Sequence, residues 1–456
     1  MNRKPIFFLS KFFSRSVATW LLLFLLALTG HAQKLLTLED AIAVALENNY
    51  DIRLAKSDSA RLGLDYSYRN VVFLPRINAT LGNNWTNNNQ SQEFSDGTNR
   101  QGDVNTGNVN AGVTLDWTLF DGLKMFTLKK KAEEYANLGQ LELKNQVINT
   151  VAQVIEMYYI IVRQKQLLKA IEEQMSINQT RVDLSKRKLE VGMGTKPEYL
   201  QSQIDLNAQK TAKMQQETYI RELKLRLNQL INPLPEGQEN QITTTYEVSD
   251  SIPINSKLSL KEIQNNLEEN NPGLQLSRKN LEIADLSVRE IKADQFPVIE
   301  FNSAYNYRRS TNDIALNPFL PLINQNNGFS YGFSATIPIL NYRNTNRLIK
   351  HAELDLQYQS LSYVSERSRL NVNVVNAFNL FQLQLEMLSL EEENILLAKE
   401  NVAITLETYR LGSTTFIQLR EAEKSLNDAY DRLINARYNA KLAETELMRL
   451  KGELVY

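Results

Sequence analysis

Hydrophobic and polar residues alternate strictly from Phe329 to Ile339, a stretch that reads FSYGFSATIPI. The odd positions are apolar or aromatic, and the even positions are Ser, Gly, Thr or Pro. A period of two predicts a β-strand with one apolar and one polar face. Three more segments alternate in the same way and begin at Ile77, Val109 and Ile299. The sequence therefore predicts four strands.

Two much longer segments have a helical pattern. Residues 123–191 contain one glycine and no proline, and residues 343–411 contain neither. At about 1.5 Å per residue, each would form a helix of roughly 100 Å. Their apolar residues recur at helical spacing among polar ones, so these helices need partner helices in coiled-coil-like contact. Gly192 and Gly412 end the two segments, and a second helix follows each, which predicts two long helical hairpins.

The chain repeats one plan with an offset of about 220 residues. LPRI at Leu74 matches FPVI at Phe296, and EVGMGTKPEYL at Glu190 matches RLGSTTFIQLR at Arg410. A stretch rich in proline and polar residues joins the two copies and is typical of a linker. The predicted domains are a first repeat at 33–231 (strand pair at 77–117, hairpin at 123–231), a linker at 232–257, and a second repeat at 258–456 (strand pair at 298–339, hairpin at 343–451).

The first 32 residues differ from the rest. Four basic residues precede an apolar run from Val17 to Leu28, and small residues surround Ala32. This order predicts a secretory signal peptide at 1–32, because twelve apolar residues are too few to span a bilayer.

The composition leaves little chemistry. There is no cysteine, and His351 is the one histidine beyond the predicted signal peptide, so thiolate sites, histidine-rich metal sites and catalytic triads are excluded. With 51 basic and 52 acidic residues, no basic field for nucleic acid is expected. We expect no enzyme activity and no cofactor, but a structural, binding or transport role.

Two environments fit the apolar strand faces: lipid, or helices packed on a soluble sheet. Lipid is favoured because the chain is predicted to be exported, because the segments have about the 9 to 11 residues that cross a bilayer, and because the opposite faces are polar. Residues 87–103 and 309–328 are predicted to be long polar loops on one side of the membrane. The predicted lipid-facing residues are Trp85, Trp117, Phe301, Tyr305, Phe329, Tyr331 and Phe333. Four strands cannot close a barrel, so the prediction requires an oligomer.

The order of these parts resembles the TolC-like outer-membrane efflux family over residues 33–456. The resemblance rests on the LPRI and FPVI motifs, the two hairpin tips and their duplication. It implies a mostly α fold with a β-barrel portion: a homotrimer with a twelve-strand barrel in the outer membrane of a Gram-negative bacterium and a helical tunnel in the periplasm. It also implies an exit duct for an efflux pump or type I secretion system, with a periplasmic adaptor and an inner-membrane transporter as partners.

The resemblance further implies a gate at the periplasmic entrance. The positions of two acidic rings fall on Gln418 and Glu421, of which only Glu421 is charged. A basic latch position falls on Thr414, its aromatic partner on Tyr409, and an acidic latch position on Glu198. Gln418 and Glu198 are also explained by helix capping, and Glu421 by a place on a helix surface.

The same resemblance assigns adaptor docking to the hairpin tips, although helix punctuation alone also explains their glycines. The tip residues are Gly192, Gly194, Thr195, Gly412, Ser413 and Thr415. The alternative function is a periplasmic coiled-coil adaptor or scaffold protein without a pore, which would have long hairpins but no membrane-length strand pairs.

Overall fold

The computed structural model describes residues 35–231, 246–313, 321–341 and 343–454. The predicted signal peptide and residues 232–245 of the predicted linker lie outside the described residues. The strands are β1 (Leu35–Leu36), β2 (Arg76–Glu93), β3 (Asn99–Phe120), β4 (Glu247–Val248), β5 (Val298–Asn312) and β6 (Ile323–Thr336). The helices are α1 (Leu38–Asn48), α2 (Tyr50–Ser67), α3 (Lys124–Glu190), α4 (Lys196–Ile231), α5 (Leu260–Asn265), α6 (Leu267–Asn270), α7 (Pro272–Ala293), α8 (Asn344–Arg410) and α9 (Phe416–Lys451).

The two repeats agree closely in their long helices. α3 and α8 each have 67 residues, and α4 and α9 each have 36. Immediately before α3 and α8, Leu123 (φ 70°) and Arg343 (φ 60°) have left-handed backbones, which non-glycine residues rarely adopt. The two residues are 220 positions apart, so the repeat extends to this unusual backbone detail.

The long strands form one antiparallel sheet in the order β2-β3-β5-β6. The predicted loop at 87–103 is wrong, because β2 continues to Glu93 and β3 begins at Asn99. Backbone pairing carries these polar residues into a ribbon, and the Asn89 amide donates to the Asp103 carboxylate across it at 2.6 Å. The polar residues 87–93 have low β-propensity, but cross-strand pairing outweighs it here.

The second strand pair differs from the prediction at both ends. β5 continues to Asn312 and β6 begins at Ile323, so the predicted loop at 309–328 is too long, and residues 314–320 lie outside the described part. β6 also stops at Thr336, although the alternation continues to residue 339. Pro338 explains this end, because proline has no N–H for the ladder.

Contacts divide the chain into two compact units, and each unit contains segments of both repeats. The hairpin unit comprises the described parts of 1–52, 147–262 and 374–456, and the sheet unit comprises 53–146 and 263–373. Within the sheet unit lie β2, β3, β5 and β6 together with α7. Compact packing therefore does not follow the boundary between the repeats.

The hairpin unit has a continuous apolar core. Val151, Val154 and Leu227 are fully buried there. Tyr158 joins this core to a small parallel sheet of β1 and β4: its hydroxyl donates to Leu36 O at 3.0 Å and accepts from Ser249 N at 3.1 Å. Because β4 pairs with β1, residues 247–248 form a strand, although the sequence predicts a linker there.

Within the described residues, no helix is long and apolar enough to cross a membrane, and no three or more His, Cys, Asp or Glu residues are grouped so that they could hold a metal ion.

Candidate functional site at the hairpin ends

Both hairpins turn through a glycine in the left-handed region. Gly192 has φ 75° and Gly412 has φ 83°, conformations that favour glycine because it has no Cβ. The following backbone N–H groups return to the helix end: Met193 N donates to Lys188 O at 2.8 Å, and Ser413 N donates to Thr408 O at 3.0 Å. The two tips are therefore closed by the same hydrogen-bond pattern.

Caps begin the second helix of each hairpin. Thr415 and Gln418 form a capping box, in which the Thr415 hydroxyl accepts from Gln418 N at 3.3 Å and Gln418 Oε1 accepts from Thr415 N at 2.9 Å. At the other tip, Glu198 accepts from Thr195 N at 3.5 Å. The side chains of Gln418 and Glu198, which are both predicted at the gate, are thus engaged in capping. Their gate role stays a prediction.

The other predicted gate residues lie in three different settings. The Thr414 hydroxyl donates to the Thr408 hydroxyl at 2.6 Å, and Glu421 is exposed on α9. Tyr409 is buried, which raises the pKa of its phenol. Lys188 from α3 donates to Tyr409 O and lies 3.8 Å from the centre of its ring. Lys188 therefore links Tyr409, which belongs to the second hairpin, to the first hairpin.

A buried charge cluster, here called the Arg181 cluster (Arg181, Asp205, Glu423 and Arg420), joins three helices near these tips. Arg181 on α3 is only 2% exposed. Its guanidinium donates to Asp205 on α4 at 2.7 Å and to Glu423 on α9. Arg420 also contacts Asp205 at 3.0 Å. One buried side chain thus ties both helices of the first hairpin to the second.

The electrostatics of the Arg181 cluster are strongly perturbed. Burial raises the pKa of Glu423 to about 7; Arg181 opposes this rise and Asp205 adds to it. A cavity of about 230 Å³ adjoins the cluster and is also lined by Gln174 and Asn178. Such a cluster is held by its mutual pairing, since an unpaired charge at this depth would be costly.

Sequence reasoning missed this cluster. Glu423 lies 242 positions from Arg181, and Asp205 lies 24 positions away. One usable signal was present: Gln174, Asn178, Arg181 and Ser185 recur at helical spacing and form a buried polar stripe on α3. Polar residues at the positions of an apolar stripe indicate a buried network, but they do not identify its partners.

The predicted lipid-facing residues share one face of the sheet. Phe333 is 74% exposed and Trp85 is 76% exposed, while Phe301 packs against Phe333 with ring centres 5.2 Å apart. Trp117 is held in place by its indole, which donates to Phe73 O at 2.9 Å. Tyr305, Phe329 and Tyr331 are also exposed. Contact of these residues with lipid stays a prediction.

Comparison with known proteins identifies the family. The chain matches the family described as outer membrane efflux protein over residues 41–232 and 263–453. It is 21% identical to the outer membrane protein TolC of Vibrio cholerae over 390 residues, which cover 84% of this chain and 83% of that protein.

Solved outer membrane proteins have the same fold. The outer membrane protein VceC of Vibrio cholerae is similar with a TM-score of 0.73 at 15% identity, covering 91% of this chain and 96% of that one. The CmeC outer membrane channel of Campylobacter jejuni gives 0.73 at 14%, covering 91% and 85%. The chain therefore belongs to the outer membrane efflux protein family, as a TolC-like efflux channel of the outer membrane that extends into the periplasm.

Proposed function

We propose that three copies of this chain form an exit duct for a tripartite efflux pump or a type I secretion system. Their twelve strands close a barrel in the outer membrane, and their long helices form a periplasmic tunnel. The duct conducts passively and catalyses nothing. A periplasmic adaptor joins it to an inner-membrane transporter, which supplies the energy.

The sheet provides the observation that carries this proposal. Among the described residues, β2 and β6 are the edges of a four-stranded sheet, and each lacks a partner on its outer side. Its apolar face is exposed at Leu81, Tyr331 and Phe333. Open edges are not tolerated in lipid, so other copies must complete the ladder.

An exposed apolar stripe on α8 supports the same assembly. Leu354, Tyr358, Leu361 and Val364 recur at helical spacing and are all largely exposed. A helix with such a stripe is stable in water when a neighbouring helix covers it. In the proposed trimer, a helix of a second copy of the chain covers this stripe.

The hairpin ends fit adaptor docking and gating. Val191, Met193, Leu411 and Ile417 expose apolar side chains around the two glycine turns, and these form the proposed adaptor surface.

The Arg181 cluster holds the two hairpins together behind that surface. We assign the closed entrance to this cluster together with Lys188 and Tyr409, and opening to a small outward movement of the second hairpin.

Native mass measurement of the detergent-purified protein, combined with single-channel recording, tests the proposal. A trimer that conducts in planar bilayers is the expected result. A monomer, or a trimer without conductance, would contradict the duct. Release of the protein by carbonate extraction would favour the periplasmic scaffold instead.

A further inference from the structure

The even-numbered positions of the four long strands share one face of the sheet, here called the polar face. Strand side chains alternate, and the pairing joins even positions to even positions, as in Thr80, Gly112, Asn306 and Gly328 across the sheet. Most residues on this face are Asn, Ser, Thr or Gly. The face is therefore wettable and nearly uncharged.

Few charges interrupt the polar face. The charged residues at even positions of the four strands are Arg76, Arg100, Asp116, Glu300 and Arg308. Arg76 is the register partner of Asp116, whose carboxylate also accepts from the Asn302 amide at 3.0 Å, so one end of the sheet has mixed charge. Glu300 lies at this same end. Arg308 is eight residues further along β5, or roughly 26 Å at about 3.3 Å per residue.

On the polar face, the described residues beside Arg308 are uncharged. Its register partners on the two adjacent strands are Asn110 and Asn326. A cavity of about 310 Å³ lies beside it and is lined by Arg308, Ser310, Asn312, Pro321, Asn324 and Asn326. The described residues place no carboxylate in this lining and no ion pair on Arg308.

We propose that Arg308 and its amide and hydroxyl neighbours bind the oxyanion group, carboxylate or phosphate, of an exported solute. A guanidinium offers paired N–H donors that fit the two oxygens of such a group, and Ser310 and Asn324 add further donors. In a closed trimer, three copies of Arg308 form a positive ring around one lumen. Rings of like charge set the ion selectivity of pores, so the outer half of this barrel favours anions. The inference rests on the proposed function.

The chain contains a matched control for this site. Arg309 is the next residue, is exposed as Arg308 is, and carries the same charge. Its register partners are Val109 and Gln325, and it therefore lies on the opposite face, with Tyr305 and Tyr307. A property that depends on the polar face should change with Arg308 and not with Arg309.

The experiment compares Arg308→Gln and Arg309→Gln trimers in planar bilayers under a KCl gradient. We expect Arg308→Gln to lower the Cl⁻/K⁺ permeability ratio by about twofold or more, and Arg309→Gln to leave it unchanged. Inorganic phosphate is the oxyanion probe, and its block of the current should weaken in Arg308→Gln. Arg308→Lys keeps the charge without the paired donors, so it should keep the permeability ratio and weaken phosphate block.

The outcomes separate this inference from the proposed function. Conducting channels in which both glutamine variants behave alike would overturn the Arg308 site and leave the duct intact. An unchanged phosphate block in Arg308→Gln would also overturn the site. Wild-type trimers without conductance would overturn the duct itself, and the site with it.

Discussion

Two regions of this protein place an arginine in opposite surroundings. At the hairpin ends, Arg181 is buried and shared between two carboxylates on two other helices. On the polar face of the sheet, Arg308 is exposed and surrounded by amides and hydroxyls. The first guanidinium has its charge satisfied within the chain, and the second has its donors directed at solvent.

The difference separates a structural charge from one that can serve a solute. A buried charge with partners is costly to disturb, because its removal leaves opposite charges unpaired at low dielectric. An exposed charge among neutral donors contributes little to stability, and it remains able to attract an ion. The hairpin ends should therefore respond to mutation through folding and gating, and the sheet face through selectivity.

The largest effect is expected for Arg181→Leu. It leaves Glu423 and Asp205 without their shared cation, which should cost about 3–5 kcal/mol of stability. Thermal unfolding of the detergent-solubilised protein measures the loss. Arg420→Leu is the control, because its half-exposed contact with Asp205 should cost no more than about 1 kcal/mol. Equal effects of the two variants would contradict the special role of burial.

The next effect is a pH dependence from Glu423, whose pKa rises with burial from 4.5 to about 7. Because the pKa is higher in the folded chain, protonated Glu423 contributes to the stability of the folded state. This contribution is fully present below pH 4.5 and is lost as the pH rises through about 7. The stability of the wild type should thus fall across this window relative to Glu423→Gln, which cannot ionise. Parallel unfolding curves from pH 4.5 to 8 would contradict the shift.

The two faces of β6 give a third comparison. Phe333→Asp puts a charge on the apolar face, where lipid contact would make it cost up to about 2 kcal/mol at mid-membrane. Ser330→Asp puts the same charge on the polar face, opposite Ala304, and should be tolerated. The yield of assembled trimer in outer-membrane fractions measures both. Equal yields would reverse or abolish the assignment of the faces.

The smallest effect concerns the two hairpin caps. Thr415→Ala removes a complete capping box and should cost about 1 kcal/mol, seen as faster amide exchange in the first turn of α9. Thr195→Ala should cost less, because the contact shown at that tip is donated by the backbone N–H of Thr195 to Glu198 and does not use the hydroxyl that the substitution removes. A larger effect of Thr195→Ala than of Thr415→Ala would contradict this ranking of the two caps.

Much of the fold could be read from the sequence because its signals are local. Strict alternation predicts the strand that contains Phe329, and matched glycines mark both hairpin turns. The errors arose where local composition conflicted with pairing: the Asn-rich residues 87–93 have low strand propensity, yet their backbone is paired throughout.

The candidate site was less predictable. Gly192, Gly412 and the Thr415–Gln418 cap follow from backbone rules that depend on neighbouring residues. The Arg181 cluster depends on partners from three helices, and no local pattern pairs residues 242 positions apart. The polar stripe of α3 indicates that Arg181 belongs to a buried network, but nothing in the sequence pairs it with Asp205 or Glu423.

The polar ribbon formed by 87–93 and 99–105 continues past the last β3–β5 pair, Thr106 with Asn312. Its seven residues per strand extend about 23 Å at roughly 3.3 Å per residue. In the proposed orientation, this ribbon rises above the lipid headgroups and carries its turn, Phe94 to Thr98, into the medium around the cell. A short epitope inserted after Gly97 should therefore be recognised by antibody on intact cells, which makes this turn a reporter of correct insertion that leaves the conducting path untouched.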